Sequence, residues 1–257
     1  MLHRLKVIAL ALIAPLALAS CLFVPGKFQS SLTVHADRSF SFAYKGEVMA
    51  VDIQGLMAKA MKEGMAEGAK SKGKKDAGSA TPPPDFTLTP EEQAKRDETF
   101  RKLAADVVKE AGYRSVEYRG NGIFFVDYQI SGVLDHGFVF PYNPDNQMIL
   151  PWIAVELRGK DLVRIKAPGY GRMKSGGVNG MEGASDMSAA LSMLPGGIGD
   201  AFTRLEGTFT FTTDAELVSQ NNEEGATTVG KDKTVTWKVD TTTDDAPMAS
   251  VRVKPLP

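Results

Sequence analysis

Along much of the chain apolar and polar residues alternate with a period of two, the mark of strands with one buried and one wet face. Phe28, Leu32, Val34 and Ala36 fall on one side of this pattern, and Gln29, Ser31, Thr33 and His35 on the other. Ala36, Asp37 and Arg38 supply a turn. Phe40, Phe42 and Tyr44 then alternate with Ser39, Ser41 and Lys45, which predicts a hairpin. The pattern returns near the C-terminus, where Leu205, Phe209 and Phe211 alternate with Thr208, Thr210 and Thr212. Val235, Trp237 and Val239 alternate with Thr234, Thr236 and Lys238, and residues 250–254 suit a last strand. In between, residues 113–119 and 123–133 flank Gly120-Asn121-Gly122, a sequence suited to positive φ in a tight hairpin. Residues 148–157 and 162–166 flank Gly159-Lys160-Asp161. Strands this close together, without helices between them, favour antiparallel pairing over βαβ units.

Two stretches break the pattern. Ile53, Leu56, Met57, Ala60, Met61 and Met65 fall at helical spacing, which predicts an amphipathic helix over residues 52–66. Thr89-Pro90-Glu91-Glu92 reads as a capping box with proline at the first helical position. Phe100, Leu103, Ala104, Val107 and Val108 then form one apolar face, and Gly112 closes the helix. Residues 67–88 are rich in Lys, Gly, Ser and Pro and are expected to be a flexible loop. A second flexible segment is expected at residues 168–200, which carry nine glycines together with Met173, Met181, Met187 and Met193. A short helix over 185–194 fits inside it, and an irregular stretch this long is either functional or disordered.

The 257 residues are 43% apolar and 24% charged, enough for a real core, which excludes a disordered chain, a fibrous repeat and a multi-span membrane protein. The start has its own grammar. His3, Arg4 and Lys6 precede residues 7–19, apolar apart from Pro15. A spanning helix needs roughly 20 apolar residues, so this run is read as a secretory signal over residues 1–20 rather than a membrane span. Without Arg4 and Lys6 the 30 basic residues become 28, against 31 acidic. That balance gives no electrostatic reason to expect nucleic acid as a partner.

Leu18-Ala19-Ser20-Cys21 ends the signal and resembles the lipobox of bacterial lipoproteins. The resemblance implies cleavage between Ser20 and Cys21, a diacylglycerol on the Cys21 sulfur and an acylated new N-terminus, with residues 21–27 as a lipidated tether and 28–257 as one domain. Each buried CH₂ contributes about 0.8 kcal/mol, so two or more acyl chains hold where one does not. Leu22 stands where Asp is the usual inner-membrane retention signal, which by resemblance points to the outer membrane, facing the periplasm. Cys21 is the chain's one cysteine, so the exported fold stands without an internal disulfide.

Catalytic patterns are sparse. His35 and His136 are the two histidines beyond the signal; neither belongs to an HExxH arrangement, and both read as ordinary surface or turn residues. Gly183-Ala184-Ser185-Asp186-Met187 lacks the second glycine of a nucleophile elbow. In Gly169-Tyr170-Gly171-Arg172-Met173-Lys174-Ser175 the residue before the lysine is Met, where a phosphate cradle needs Gly, and Lys174 stands where a dinucleotide fingerprint has its third glycine. Glu91-Glu92 suits a helix N-terminus, while Glu223-Glu224 and Asp244-Asp245 lie in turn-like stretches. No catalytic residue, metal ligand set or cofactor is assigned.

Three features bear on binding. Met57, Met61 and Met65 repeat on one helical face, either as soft ligands for Cu(I) or as a flexible core stripe. Lys70, Lys72, Lys74 and Lys75 suit either anionic headgroups or a solvated linker. The glycine- and methionine-rich segment suits either a lid over an apolar pocket or disorder.

The hairpin directly after the lipobox, the helices that follow, and the stretch GTFTFTTDAELVSQNNEEGATTVGKDKTVTWKVD at 207–240 resemble the LppM-type domain of some bacterial lipoproteins, notably at Asn221-Asn222 and in the strand that ends in Trp237. The resemblance implies an α+β fold, a curved antiparallel sheet packed against two helices, with an apolar cavity of the kind that holds a lipid. It supplies no catalytic residue. Two functions follow as expectations: an envelope lipoprotein that binds a lipid-like ligand between sheet and helices, or an envelope scaffold with a filled core that meets other proteins. A hydrolase dependent on His136 is the third class.

Overall fold

The computed structural model describes residues 21–52, 89–141, 151–171 and 204–256. The first alternating stretch forms a long hairpin of β1 (Cys21–Val34) and β2 (Ser39–Asp52). Its register runs from Cys21 opposite Asp52 to Val34 opposite Phe40, with a shift between Pro25 and Phe28. Gly46 sits at that irregularity, where a Cβ would lie 2.4 Å from the Lys27 carbonyl oxygen. Helix α1 (Pro90–Val107) follows, opened by the full capping box. Glu92 N donates to Thr89 Oγ1 at 3.3 Å, and Thr89 N donates to Glu92 Oε2 at 2.9 Å. Next comes the hairpin of β3 (Tyr113–Tyr118) and β4 (Ile123–Val133), whose turn holds Gly120, Asn121 and Gly122 all at positive φ.

The chain then builds β5 (Phe138–Phe140), β6 (Ile153–Arg158), β7 (Leu162–Lys166) and a short 3-10 turn at Pro168–Tyr170. It ends with β8 (Glu206–Thr213), β9 (Glu216–Gln220), β10 (Thr227–Val229), β11 (Asp232–Asp240) and β12 (Met248–Arg252). Seven strands form one sheet in the order β10-β11-β8-β1-β2-β4-β3, and five form a second in the order β5-β6-β7-β12-β9. All pairings are antiparallel except β1 with β8.

One face of the seven-stranded sheet carries Leu32, Val34, Phe42, Tyr44, Phe209, Phe211 and Val235, each buried. The five-stranded sheet lies over it. Phe42 meets Phe140 at 5.0 Å between ring centroids, and Tyr44 meets Trp152 at 5.2 Å and Phe140 at 5.5 Å. Such ring pairs add about 0.5–1.5 kcal/mol beyond the area they bury. Helix α1 covers the other end of the same face, since Phe124, on the inner side of β4 with Val126 and Tyr128, holds Phe100 at 5.4 Å. Toward the Arg38 turn the opposite face of the large sheet is polar, with Ser31, Thr33, Ser41, Thr210 and Thr212; at the Cys21 end it carries Val24 and Met49, both buried, beside Ile123.

The expected α+β fold is therefore corrected to a mainly β one, with two sheets and a single helix among the described residues. Of the second sheet, β6, β7 and β12 fall where strands are expected at 148–157, 162–166 and 250–254, whereas β5 and β9 escape the pattern. The parallel β1–β8 pair joins strands far apart in sequence. Asp52, expected to open a helix over 52–66, ends β2; residues 53–66 and the segment 67–88 lie outside the described residues. The segment 168–200 begins as ordered core, because Tyr170 is fully buried and stacks on Phe28 at 4.3 Å; residues 172–200 are outside the described ones. Residues 21–27, read as a tether, form the first half of β1.

Arg38 ties the layers together. It turns the hairpin at φ 76° and is buried to 4% exposure. Its guanidinium donates to three carbonyls in separate segments: Leu134 O at 2.7 Å past β4, Lys160 O at 2.9 Å between β6 and β7, and Lys254 O at 2.7 Å past β12. Hydrogen bonds from a charged donor contribute about 1.5–3 kcal/mol each, which offsets the desolvation of the cation. Arg38→Met strips all three carbonyls of their donor at once. It is expected to lower the unfolding free energy by about 3 kcal/mol or more, read as a fall in the urea midpoint at unchanged slope, with Arg38→Lys restoring only part. An unchanged midpoint would show that the staple contributes nothing.

Candidate functional site

The two ends of the long hairpin carry Cys21 and His35. At one end Cys21 opens β1, its Cα opposite that of Asp52; Ser20 lies outside the described residues. The next residues belong to the body. Leu22 and Phe23 are half-buried and Val24 is buried. Phe23 O accepts from Trp152 Nε1 at 3.1 Å, and its ring meets Phe124 at 6.5 Å. The β3–β4 turn sits beside them, as Ala50 N donates to Gly122 O at 2.8 Å. The first turn of α1 joins through Gln93 Nε2, which donates to Asn121 Oδ1 at 2.7 Å. This end of the fold is thus a rim of strand starts, a tight turn and a helix N-terminus around Cys21.

At the other end Asp214, at the corner between β8 and β9, collects charge from the turns. Its carboxylate accepts from Ala36 N at 2.8 Å and from Lys231 Nζ at 3.0 Å, and His35 Nδ1 lies 3.4 Å away. The hydrogen bond from Ala36 N is the largest influence, followed by that from Lys231; together they hold the carboxyl down at about 2. An acid this strong is a poor proton acceptor at neutral pH. Chemically the arrangement is an ion-pair clamp on three turns.

The remaining candidates are scattered. His136 is exposed and pairs with its neighbour Asp135, whose carboxyl that contact lowers. Glu91 and Glu92 occupy the first turn of α1, as their sequence suggests. Glu223-Glu224 and Asp244-Asp245 lie in turns between strands. The 3-10 turn Pro168–Tyr170 and Gly171 after it pack tightly on the core: a Cβ on Gly169 would lie 2.7 Å from the Trp152 backbone, and one on Gly171 2.9 Å from that of Ala246. Met57, Met61, Met65, the lysines at 70–75, Ser185 and residues 172–175 lie outside the described residues. Among the described residues no group of three or more His, Cys, Asp and Glu is placed to hold a metal ion. In the same set no helix is long and apolar enough to cross a membrane.

Asn221 and Trp237, singled out together by their sequence context, do meet. Trp237 Nε1 donates to Asn221 Oδ1 at 3.1 Å, which also accepts from Met248 N at 2.8 Å. Asn221 Nδ2 donates to Ala246 O at 2.8 Å, so this side chain joins the two sheets at the β11–β12 connection. The role is structural. Sequence reading missed Arg38, Asp214 and Tyr170, because each works through partners far away in the chain.

No family model matches the chain, and no curated protein does. One solved structure is similar over most of both chains: the NMR structure of the folded domain of LppM from Mycobacterium tuberculosis, at 15% identity over 91% of this chain and 92% of that one, with a TM-score of 0.28. A superposition that loose carries no argument about fold or role, and the resemblance to LppM-type domains is a weak one.

The Asp214 clamp has a definite pH signature. Its carboxyl is stronger in the folded state than in the unfolded chain, so its contribution is complete above the unfolded value near 4 and is lost as pH falls toward about 2. Asp214→Asn is expected to lower the urea midpoint at pH 7 and to flatten its decline between those two pH values relative to the parent protein. Parallel pH profiles would refute the clamp.

Proposed function

We propose that the chain is a lipid-anchored envelope lipoprotein, cut between Ser20 and Cys21 and acylated on Cys21. Its folded body acts by contact with other envelope components rather than by catalysis. The anchor rests on Leu18-Ala19-Ser20-Cys21 at the end of a short apolar run, and Leu22 after the cysteine favours the outer membrane, facing the periplasm. The interaction reading rests on one observation: the space between the sheets is occupied by the protein's own rings. Phe42, Tyr44, Phe140, Trp152, Tyr170 and Phe209 are all buried there, with successive centroids 4.3–6.1 Å apart through Phe28 and Tyr128. Between helix and sheet, Phe100 closes on Tyr118 at 5.6 Å and on Phe124 at 5.4 Å. A ligand of lipid size needs a cleft of roughly 300 Å³ or more, and these contacts favour the scaffold over the carrier. No cofactor enters this reading.

Cells fed labelled palmitate are expected to incorporate it into the protein and to keep the protein in the membrane pellet through salt washing, with both lost in Cys21→Ser. Native mass spectrometry of the detergent-extracted protein is expected to give the polypeptide plus its covalent acyl mass. A further stoichiometric, non-covalent lipid would replace the scaffold reading with the carrier reading. Equal labelling of Cys21→Ser would remove the anchor.

A further inference from the structure

We infer that the end of the body around Cys21 is seated directly on the bilayer headgroups, so that the fold stands on the membrane with the β1–β2 hairpin pointing away. The inference rests on acylation of Cys21 as proposed above, and it concerns what that anchor does to the body. β1 begins at Cys21 itself, with backbone pairing to β2 from the first residue onward. Val24, three residues later, is already buried, and Phe23 is fixed through its carbonyl and its ring. A flexible linker of ten residues would let a domain wander over about 17 Å; here the chain leaves no such length between the acylated residue and the folded one. Whatever the acyl chains hold, they hold the rim of the body with it: Leu22, the turn at 120–122 and the first turn of α1.

The alternative posture, lying flat, would bring the whole outer face of the large sheet to the membrane, and the half of it toward the Arg38 turn is built for water, while its apolar residues Leu22, Val24, Met49 and Ile123 gather at the Cys21 end. Across six neighbouring strands one row in register reads Ser131, Ser41, Thr33, Thr212, Thr234 and Thr227, each a hydroxyl residue. The next row reads Gln129, Ala43, Ser31, Thr210 and Thr236. Binding at a membrane surface scales with the apolar area buried and with attraction to anionic lipid, and hydroxyl rows supply neither. With strands of 14 residues rising about 3.3 Å each, a standing hairpin lifts the Arg38 turn some 45 Å from the anchored residue.

Acylation consumes the thiol of Cys21, the chain's one cysteine, so a cysteine added elsewhere is the sole free thiol of the lipidated protein. The full lipidated chain carrying Arg119→Cys, Asp37→Cys or Thr236→Cys, each labelled with an environment-sensitive fluorophore, is placed in vesicles of phosphatidylethanolamine and phosphatidylglycerol that contain a headgroup-attached quencher. Arg119, beside the turn at the anchored end, is expected to lose most of its fluorescence, while Asp37 at the far turn and Thr236 on the hydroxyl face lose none. Glu91→Cys, in the first turn of α1, reports on the same end should Arg119→Cys fail to fold. A glycine-serine insertion between Cys21 and Leu22 is expected to abolish the quenching at the anchored end. Quenching at Thr236 would show a body lying flat, and uniformly weak quenching in an acylated protein would show one held off the surface; either overturns the posture and leaves the anchor intact. Absence of acyl label at Cys21 would instead remove the anchor and the posture together.

Discussion

Strand β1 is bonded on both sides, antiparallel to β2 and parallel to β8, and the rest of the body is arranged by that fact. Side chains along a strand alternate with a period of two, so a slip of one residue would carry the whole apolar set to the wet face. Phe28, Leu32 and Val34 fix the inner side of β1, and the register then aligns Phe42 and Tyr44 from one neighbour with Phe209 and Phe211 from the other. The five-stranded sheet has a single apolar surface to meet. The outer hydroxyl rows are the same register seen from behind.

That logic explains which parts of the fold were legible. The hairpins of β1 with β2 and β3 with β4, the strands at 206–213 and 232–240 and the capping box of α1 announce themselves through local signals: period-two alternation, positive-φ glycines, and a threonine placed before Pro-Glu-Glu. Each is settled within about twenty residues. The second sheet is a different kind of fact. Its hairpin of β6 and β7 and its strand β12 are readable locally, but β5 has only three residues and β9, Glu-Leu-Val-Ser-Gln, does not alternate, and these two take their place because the chain changes sheet at short corners such as Asp214-Ala215 between β8 and β9. The parallel partner of β1 lies some 180 residues downstream, beyond the reach of any local pattern.

The site residues divide the same way. Cys21 stands out in the linear sequence alone, and the structure adds only that β1 begins there. Arg38 looked like an ordinary turn residue. Its importance comes from three carbonyls contributed by segments 96, 122 and 216 residues away. Asp214 carries no local signal, and the approach of the Ala36 amide and Lys231 makes it a strong acid. Tyr170 sat in a glycine-rich stretch that reads as mobile, yet its ring fills the space over Phe28 and Phe209, and burial pushes its phenol well above the ordinary range. In each case the chemistry is set by tertiary neighbours, which local composition does not encode.

The two halves of β1 are not equally fastened, and this bears on how an anchored body would transmit tension. From Cys21 to Pro25 the strand pairs with β2 alone; β8 joins only at Lys27, opposite Glu206, and continues to Thr33. The irregularity at Gly46 separates the two regimes, and the Lys27–Glu206 ion pair at 3.1 Å marks the boundary. An exposed pair of this kind contributes little, about 0–1 kcal/mol; the resistance comes from the second ladder and from Phe28, buried between Tyr44 and Tyr170. Force applied at Cys21 therefore meets a one-sided ladder over a few residues and then a two-sided one locked into the core. Peeling the first stretch gives up the Trp152 bond to Phe23 and the burial of Val24. Peeling beyond Lys27 would remove a central strand, which amounts to unfolding the large sheet. The stretch from Cys21 to Pro25 thus yields first, backed by one that does not.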